Sequence, residues 1–298
     1  MNSNYNRIVA KTSRWSCLIF SIVLTVSACE KHAPVEEHAA PAQSNIVEPP
    51  PATVVEAIQK EFPGAVPYKQ GIDSLLGKLN AFGIPSNSLL WGQSTCVDDI
   101  INTKDKLASD IKGPFNFGGL AGLPFTGIAG LDAFAHHVPE YGTALLFVGP
   151  HIGYTEKDGW GKILRHDQHQ PSSCCGALVG ALTKLKKGEL KLEAPGKDDF
   201  QEQTLEQLAF ANRDKIMSSP EPLVTLTQIT YHEAIKEISV FAGRVRERHF
   251  KYAVVVGAVI INTDFNLTDY VWIEHISILD VRKNEWVLGG KPMAYDKQ

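Results

Sequence analysis

The chain has 298 residues, of which 44% are hydrophobic and 21% charged, and a formal net charge of −4. That length suits one large domain or two small ones, and the composition is ordinary for a globular protein. The modest negative charge gives no electrostatic reason to expect a nucleic-acid partner, and no nucleic-acid-binding motif is apparent.

In chain order, the first legible segment is the N-terminus. Arg7, Lys11 and Arg14 form a basic region, and Trp15 to Val26 form an apolar run. Spanning a bilayer takes about 20 apolar residues, so this run is too short for a transmembrane helix. Small residues follow in Val26-Ser27-Ala28-Cys29. Residues 1–28 are therefore read as a signal peptide, and Cys29 resembles the acylated cysteine of bacterial lipoproteins. Glu30 is not the aspartate that commonly retains lipoproteins in the inner membrane. The resemblance thus implies a cell-envelope protein, lipid-anchored in the outer membrane and facing the periplasm. An ordinary secretory signal, with Cys29 incidental, is the alternative. Residues 29–53 are rich in Pro, Ala and Glu with almost no large apolar side chains. Such a segment cannot bury enough surface to fold, so it reads as a disordered tether, with the folded domain at 54–298.

Val55 to Phe62 and Ile72 to Phe82 carry apolar residues at helical spacing, and Gly83 ends the second helix. Ser88 to Thr95 reads as a strand leading to Cys96, and Val97 to Ile111 as a helix. Gly113 to Gly130 is glycine-rich and fits no phosphate-binding pattern. It reads as a closely packed loop, because glycine lets backbones approach. Thr143 to Gly149 is a short apolar run that fits a buried parallel strand. Gly176 to Lys187, Asp199 to Ser218 and Gln228 to Phe241 read as helices. Tyr252 to Thr263 is a long β-rich run, Tyr270 to Leu279 an alternating strand, and Glu285 to Leu288 a strand after a turn. Strands alternate with helices, which predicts an α/β fold with a central, mostly parallel sheet flanked by helices.

Leaving aside Cys17 and Cys29, three cysteines remain: Cys96, Cys174 and Cys175. A disulfide from Cys96 to Cys174 or Cys175 is one use for them in an oxidising compartment. The other is a metal. Cys96, His151 and Cys175 offer two thiolates and an imidazole, a donor set that suits Zn²⁺. Three protein ligands leave a fourth position open, as in catalytic rather than structural zinc sites. Cys96 and His151 each follow a strand, where sites of open parallel sheets form. Cys175 opens a helix, whose positive end favours a thiolate. Cys174 could replace Cys175, and His136-His137 could replace His151, so the ligand set stays open on spacing alone.

Several motifs narrow it. Cys96-Val97-Asp98-Asp99, FNFGGLAGLPFTG (115–127), AFAHHVP (133–139), LLFVGPHIG (145–153), GKILR (161–165), SSCCGA (172–177), LTQITY (226–231) and VIINTD (259–264) stand in this order. Together they resemble the low-CO2-inducible B/C proteins of algae and their bacterial relatives, a theta-class group with a β-carbonic anhydrase-like site. The resemblance covers roughly residues 60 to 290. It implies a β-carbonic anhydrase-like fold, a zinc-dependent carbonic anhydrase that interconverts CO2 and bicarbonate, and a homodimer. It implies zinc held by Cys96, His151 and Cys175, with Asp98 as the catalytic carboxylate. Zinc lowers the pKa of bound water from about 15.7 to about 7. The arginine that β-class enzymes carry four residues after the first cysteine is replaced by Ile100. Arg165, the only arginine between Arg14 and Arg213, is expected to take its place and orient Asp98. His136, His137, His166 and His169 are candidate proton shuttles, since histidine titrates near about 6.5. Two other readings remain: a non-catalytic zinc or bicarbonate sensor or scaffold, and a thiol enzyme with Cys96 as nucleophile and His151 as base.

Overall fold

A computed structural model describes residues 47–104, 107, 111–190 and 192–289. The signal peptide, Cys29 and the tether up to residue 46 lie outside the described residues. Residues 47–53, expected to belong to the tether, are placed. Glu48 pairs as a β-bridge with Leu267, and helix α1 (Ala52–Glu61) begins within that stretch.

The sheet is organised around β9 (Tyr252–Asn262), an almost unbroken apolar run that is buried from Ala253 to Asn262. A strand apolar on both faces is stable only when both faces are covered. Odd-numbered side chains Ala253, Val255, Val259 and Ile261 pack with α1, α4 (Gly127–His137), α5 (Gly176–Lys187) and α8 (Pro222–Arg244). Even-numbered Val254, Val256, Ala258 and Ile260 pack with α2 (Tyr68–Ala81) and with Ile100 and Ile101 of α3 (Asp99–Lys104). The result is a three-layer α/β/α arrangement.

Along one side of β9 runs β10 (Tyr270–Asp280), antiparallel, which in turn pairs with β1 (Val66–Pro67) and β11 (Glu285–Leu288). Along the other side run β4 (Thr143–Val148) and then β5 (His151–Thr155), both parallel to β9. Beyond β4 come β2 (Leu89–Ser94) and the edge strand β3 (Lys112–Asn116), again parallel. The parallel core carries antiparallel strands at its flank. Two hairpin-like pieces, β6 (Gly159–Trp160) on β5 and β7 (Lys162–Ile163) on β8 (Ser172–Ser173), complete the strands.

Three expectations change on folding. The helix expected over 97–111 is α3 alone among the described residues; residues 105, 106 and 108–110 lie outside them, and by Lys112 the chain is already in β3. The loop expected over 113–130 contains the rest of β3 and the start of α4, with only 117–126 between them outside strand and α-helix. Its close packing is real: a Cβ at Gly118 would lie 2.1 Å from the Thr95 carbonyl oxygen. The helix expected over Asp199–Ser218 is divided at Asn212 into α6 (Phe200–Ala211) and α7 (Arg213–Ser218), because Asn212 leaves helical dihedrals. Among the described residues no helix is long and apolar enough to cross a membrane.

The break between β4 and β5 fixes where His151 enters the sheet. Both strands pair with β9, but Gly149-Pro150 interrupts the row, so Val148 faces Gly257 and His151 faces Ile260. At Gly149 φ is +154°, and a Cβ there would stand 1.7 Å from the Ala258 carbonyl oxygen. Gly122, at φ +78°, packs on this break from the other side, its would-be Cβ 2.3 Å from the Gly149 carbonyl oxygen. Only glycine fits at either position. Gly149→Ala is therefore expected to lower stability by about 3 kcal/mol or more, since backbone must move to relieve the overlap. Equilibrium urea unfolding checks this, and a midpoint equal to that of the unsubstituted chain contradicts it.

Candidate metal centre

The strand order brings distant residues to one edge. The carboxyl ends of β2 and β4 lie side by side, Ser94 opposite Val148. Cys96 leaves the first and His151 follows the second across the Gly149-Pro150 break. Cys175 occupies the N-cap of α5, with extended dihedrals one residue before the helix begins. All three side chains are buried. The Cys96 and Cys175 sulfurs lie 3.5 Å apart. One donor atom from each of Cys96, His151 and Cys175 falls within 4.8 Å of the others. The three cysteines are free thiols, so the expected alternative of a disulfide is not what the fold contains.

Asp98 sits just before α3 and accepts the Ile100 N–H at 3.3 Å. Its Oδ2 lies 3.8 Å from His151 Nε2. Arg165, in the loop between β7 and β8, reaches across 67 residues of chain, and its Nη2 donates to Asp98 Oδ1 at 2.7 Å and Oδ2 at 2.9 Å. Its Nη1 donates to Ser172 Oγ at 2.8 Å and to the Ser173 carbonyl at 3.1 Å, which fixes the guanidinium from behind. The Asp98 side chain is only 13% exposed and that of Asp99 is 78% exposed, so Asp98 is the carboxylate that faces the site. Asp99 lies in the first turn of α3, where its charge meets the positive end of the helix.

The titration of these groups is mutual. The hydrogen bond from the Cys175 thiol, aided by His151, pushes the Cys96 thiol down to about 4 against the opposing effect of burial. Cys175, donating that hydrogen bond and buried, is pushed well above the ordinary thiol range. Burial alone would lower the His151 pKa, but the Cys174 and Cys175 sulfurs outweigh it and hold the imidazole well above its usual value. Burial would raise Asp98, and the Arg165 hydrogen bond overcomes this and keeps it below the usual carboxylate range. The pocket thus favours a cationic partner for two sulfurs. A divalent metal can supply that charge in place of protons.

The donor set fits a zinc ion. Two sulfurs each about 2.3 Å from a tetrahedral zinc are about 3.8 Å apart, near the 3.5 Å found. His151 Nε2 is buried without a hydrogen-bond partner, the state of a nitrogen left available to a ligand. The other ring nitrogen, Nδ1, lies 2.8 Å from Asn262 Oδ1. Asn262 Nδ2 donates to Asp269 Oδ2 at 3.1 Å.

The other candidate histidines, His136, His137, His166 and His169, stand elsewhere. His136 and His137 lie on the last turn of α4 and are exposed. His136 Nδ1 is 3.5 Å from Glu247, and neither residue belongs to a candidate metal-binding group among the described residues. His166 and His169 are exposed in the loop that carries Arg165. Cys174 is buried beside the site, its sulfur 3.4 Å from His151 Nδ1, and forms a second possible donor group with Asp98 and His151. Trp160 packs edge-on against Phe62 and Tyr154 and anchors its loop. Asp269 does not stand out in the sequence, and Asn262 is visible only inside the VIINTD motif (259–264), as part of a polar pair closing an otherwise apolar strand.

Comparison with known proteins gives the fold and the family. The model of the limiting CO2-inducible proteins B/C beta carbonic anhydrases matches residues 65–280. The crystal structure of PtLCIB4, a homolog of the limiting CO2-inducible protein LCIB, is similar at 25% identity and TM-score 0.68, covering 78% of this chain and 98% of that one. A point mutant of PtLCIB4 is similar at 24% identity and TM-score 0.70, covering 81% and 100%. LCIB itself is similar at 19% identity and TM-score 0.60, covering 76% and 95%. No curated protein matches the chain. The structural likenesses establish the fold. Because the family match spans residues 65–280, well over half of the chain, the chain belongs to the family of limiting CO2-inducible proteins B/C.

Proposed function

We propose that the chain is a zinc-dependent carbonic anhydrase that interconverts CO2 and bicarbonate. The observation that carries this reading is the convergence of two buried thiols and an unpartnered His151 Nε2 beside a carboxylate locked by arginine. Cys96, His151 and Cys175 would hold the ion and leave a fourth position for a reactant. Bound there, zinc supplies a Lewis acid that brings water to ionise near neutral pH.

The protein's own groups set the geometry around that chemistry. Asp98 stays ionised beside Arg165, so it accepts a hydrogen bond from the reacting water and orients the oxygen lone pair toward CO2. Arg165 engages both carboxylate oxygens, which opposes rotation of Asp98 into a ligand position. That favours the open site over one closed by Asp98. Cys96 and Cys175 belong to the same buried apolar cluster as Ile152, which holds both sulfurs out of bulk water.

The thiol-enzyme reading gives Cys175 no role, and the sensor reading makes the locked Asp98 unnecessary. Zinc content and CO2 hydration measured on the same sample separate all three. Cys175→Ala is expected to abolish stoichiometric zinc and hydration together. Arg165→Met should retain zinc but lower hydration roughly 10–100-fold, the usual effect of removing an outer partner. Full hydration by Cys175→Ala contradicts the proposal, and zinc retention without hydration in the unsubstituted chain favours the sensor.

We further propose that the chain is exported, acylated at Cys29 and tethered to the outer membrane facing the periplasm, and that it forms homodimers. The basic and apolar N-terminus and the small residues before Cys29 support the anchor. Cys29→Ala is expected to move the protein from the membrane fraction to the soluble fraction of expressing cells. A soluble unsubstituted protein argues against the anchor, and a monomeric mass in light scattering against the dimer.

A further inference from the structure

A neutral imidazole carries its proton on one ring nitrogen, and only the other can bind a metal. We propose that Asn262 and Asp269 make this choice for His151, keeping the proton on Nδ1 and the Nε2 lone pair available. The inference rests on the zinc reading above and names positioning residues for it.

Asp269 is the outer member. Its Oδ1 accepts the Thr263 N–H at 2.9 Å, and its Oδ2 accepts from Asn262 Nδ2 at 3.1 Å. A carboxylate accepts hydrogen bonds and does not donate them. The Asn262 amide therefore has one orientation, with Nδ2 toward Asp269 and Oδ1 toward His151. An amide oxygen also only accepts. His151 Nδ1, 2.8 Å away, must be the donor, so once the ring is neutral, as metal binding requires, it is Nε2 that is bare. The Cys174 sulfur lies 3.4 Å from the same Nδ1 and 3.6 Å from Asn262 Oδ1. Sulfur is the weaker acceptor and does not displace the amide; its thiol can instead donate to Oδ1.

The fold explains why these residues can act. Asn262 ends β9 opposite Gly153, two places from the Ile260–His151 pair. Asp269 immediately precedes β10, so the turn between the two longest strands sets the state of a ligand on a third. Asn262, Thr263 and Asp269 are all buried, where an arrangement of polar groups is retained only if its members are satisfied. A purely structural role in pinning the turn would leave zinc affinity and the His151 tautomer unchanged.

The test measures zinc affinity of the full chain by chelator competition, and the His151 ring by nitrogen NMR with and without zinc. Asn262→Leu is expected to weaken zinc binding about 10–100-fold and to remove the slowly exchanging Nδ1 proton. Asp269→Asn is expected to let the Asn262 amide turn over, which moves the proton to Nε2 and weakens zinc binding to a similar degree. The double exchange Asn262→Asp with Asp269→Asn keeps every hydrogen bond and reverses donor and acceptor only between residues 262 and 269, so residue 262 still accepts from Nδ1; it should recover most of the affinity and folds if the single variants do not. Unchanged affinity in both single variants, or no recovery in the double exchange relative to Asp269→Asn, would overturn the assignment. An unsubstituted chain that shows the protected Nδ1 proton yet takes up no zinc refutes the zinc reading and leaves the tautomer assignment standing.

Discussion

Two sulfur atoms held 3.5 Å apart and out of water impose a constraint on everything around them. If both ionise, they need a positive charge between them, and if only Cys96 does, the Cys175 thiol donates its proton to it. The fold supplies the positions by three separate devices: a strand end for Cys96, a strand break for His151 and a helix cap for Cys175. None of these devices depends on sequence proximity. Each depends on the backbone being stiff where it meets the site. The Gly149-Pro150 break is the sharpest case, because the close approach of Gly149 to Ala258 on one side and Gly122 on the other leaves little freedom in where His151 begins.

The second requirement is to keep a carboxylate ionised beside this site. Burial of Asp98 acts against its charge, and Arg165 restores it by donating to both oxygens while Ser172 and Ser173 hold the guanidinium in place. A buried ion pair of this kind adds little to stability by itself. Its value is orientation, since it fixes Asp98 with Oδ2 3.8 Å from His151 Nε2. The apolar side chain at Ile100 packs into the core with Ile101, so α3 contributes to the fold where an arginine would otherwise stand.

Much of the architecture is legible in the sequence. The apolar runs at 143–148 and 252–262 announce strands covered on both faces, and 176–187 has clear helical spacing. The strand β3 and helix α4 are hidden for a physical reason. Edge strand β3 is mostly exposed and begins Lys-Gly-Pro, so it shows no alternation, and the glycines after it blur the helical period of α4. The candidate ligands are only half legible. Each stands at a strand or helix end, but positions 96, 151 and 175 form no recognisable spacing, and the resemblance to a known family is needed to choose among the neighbours. Arg165 can be singled out because arginine is so rare in this part of the chain. Asn262 and Asp269 cannot, because their role exists only where the β9–β10 turn folds back beside β5.

The central claim is that two sulfurs and one imidazole hold a single zinc with one vertex open. X-ray absorption at the zinc edge of the loaded chain measures this directly. The expected shell has two sulfur neighbours at about 2.3 Å and two lighter atoms at about 2.0 Å, one of them an imidazole nitrogen. Three sulfur neighbours would bring Cys174 into the shell and contradict the claim, as would a loaded chain whose metal environment contains no sulfur.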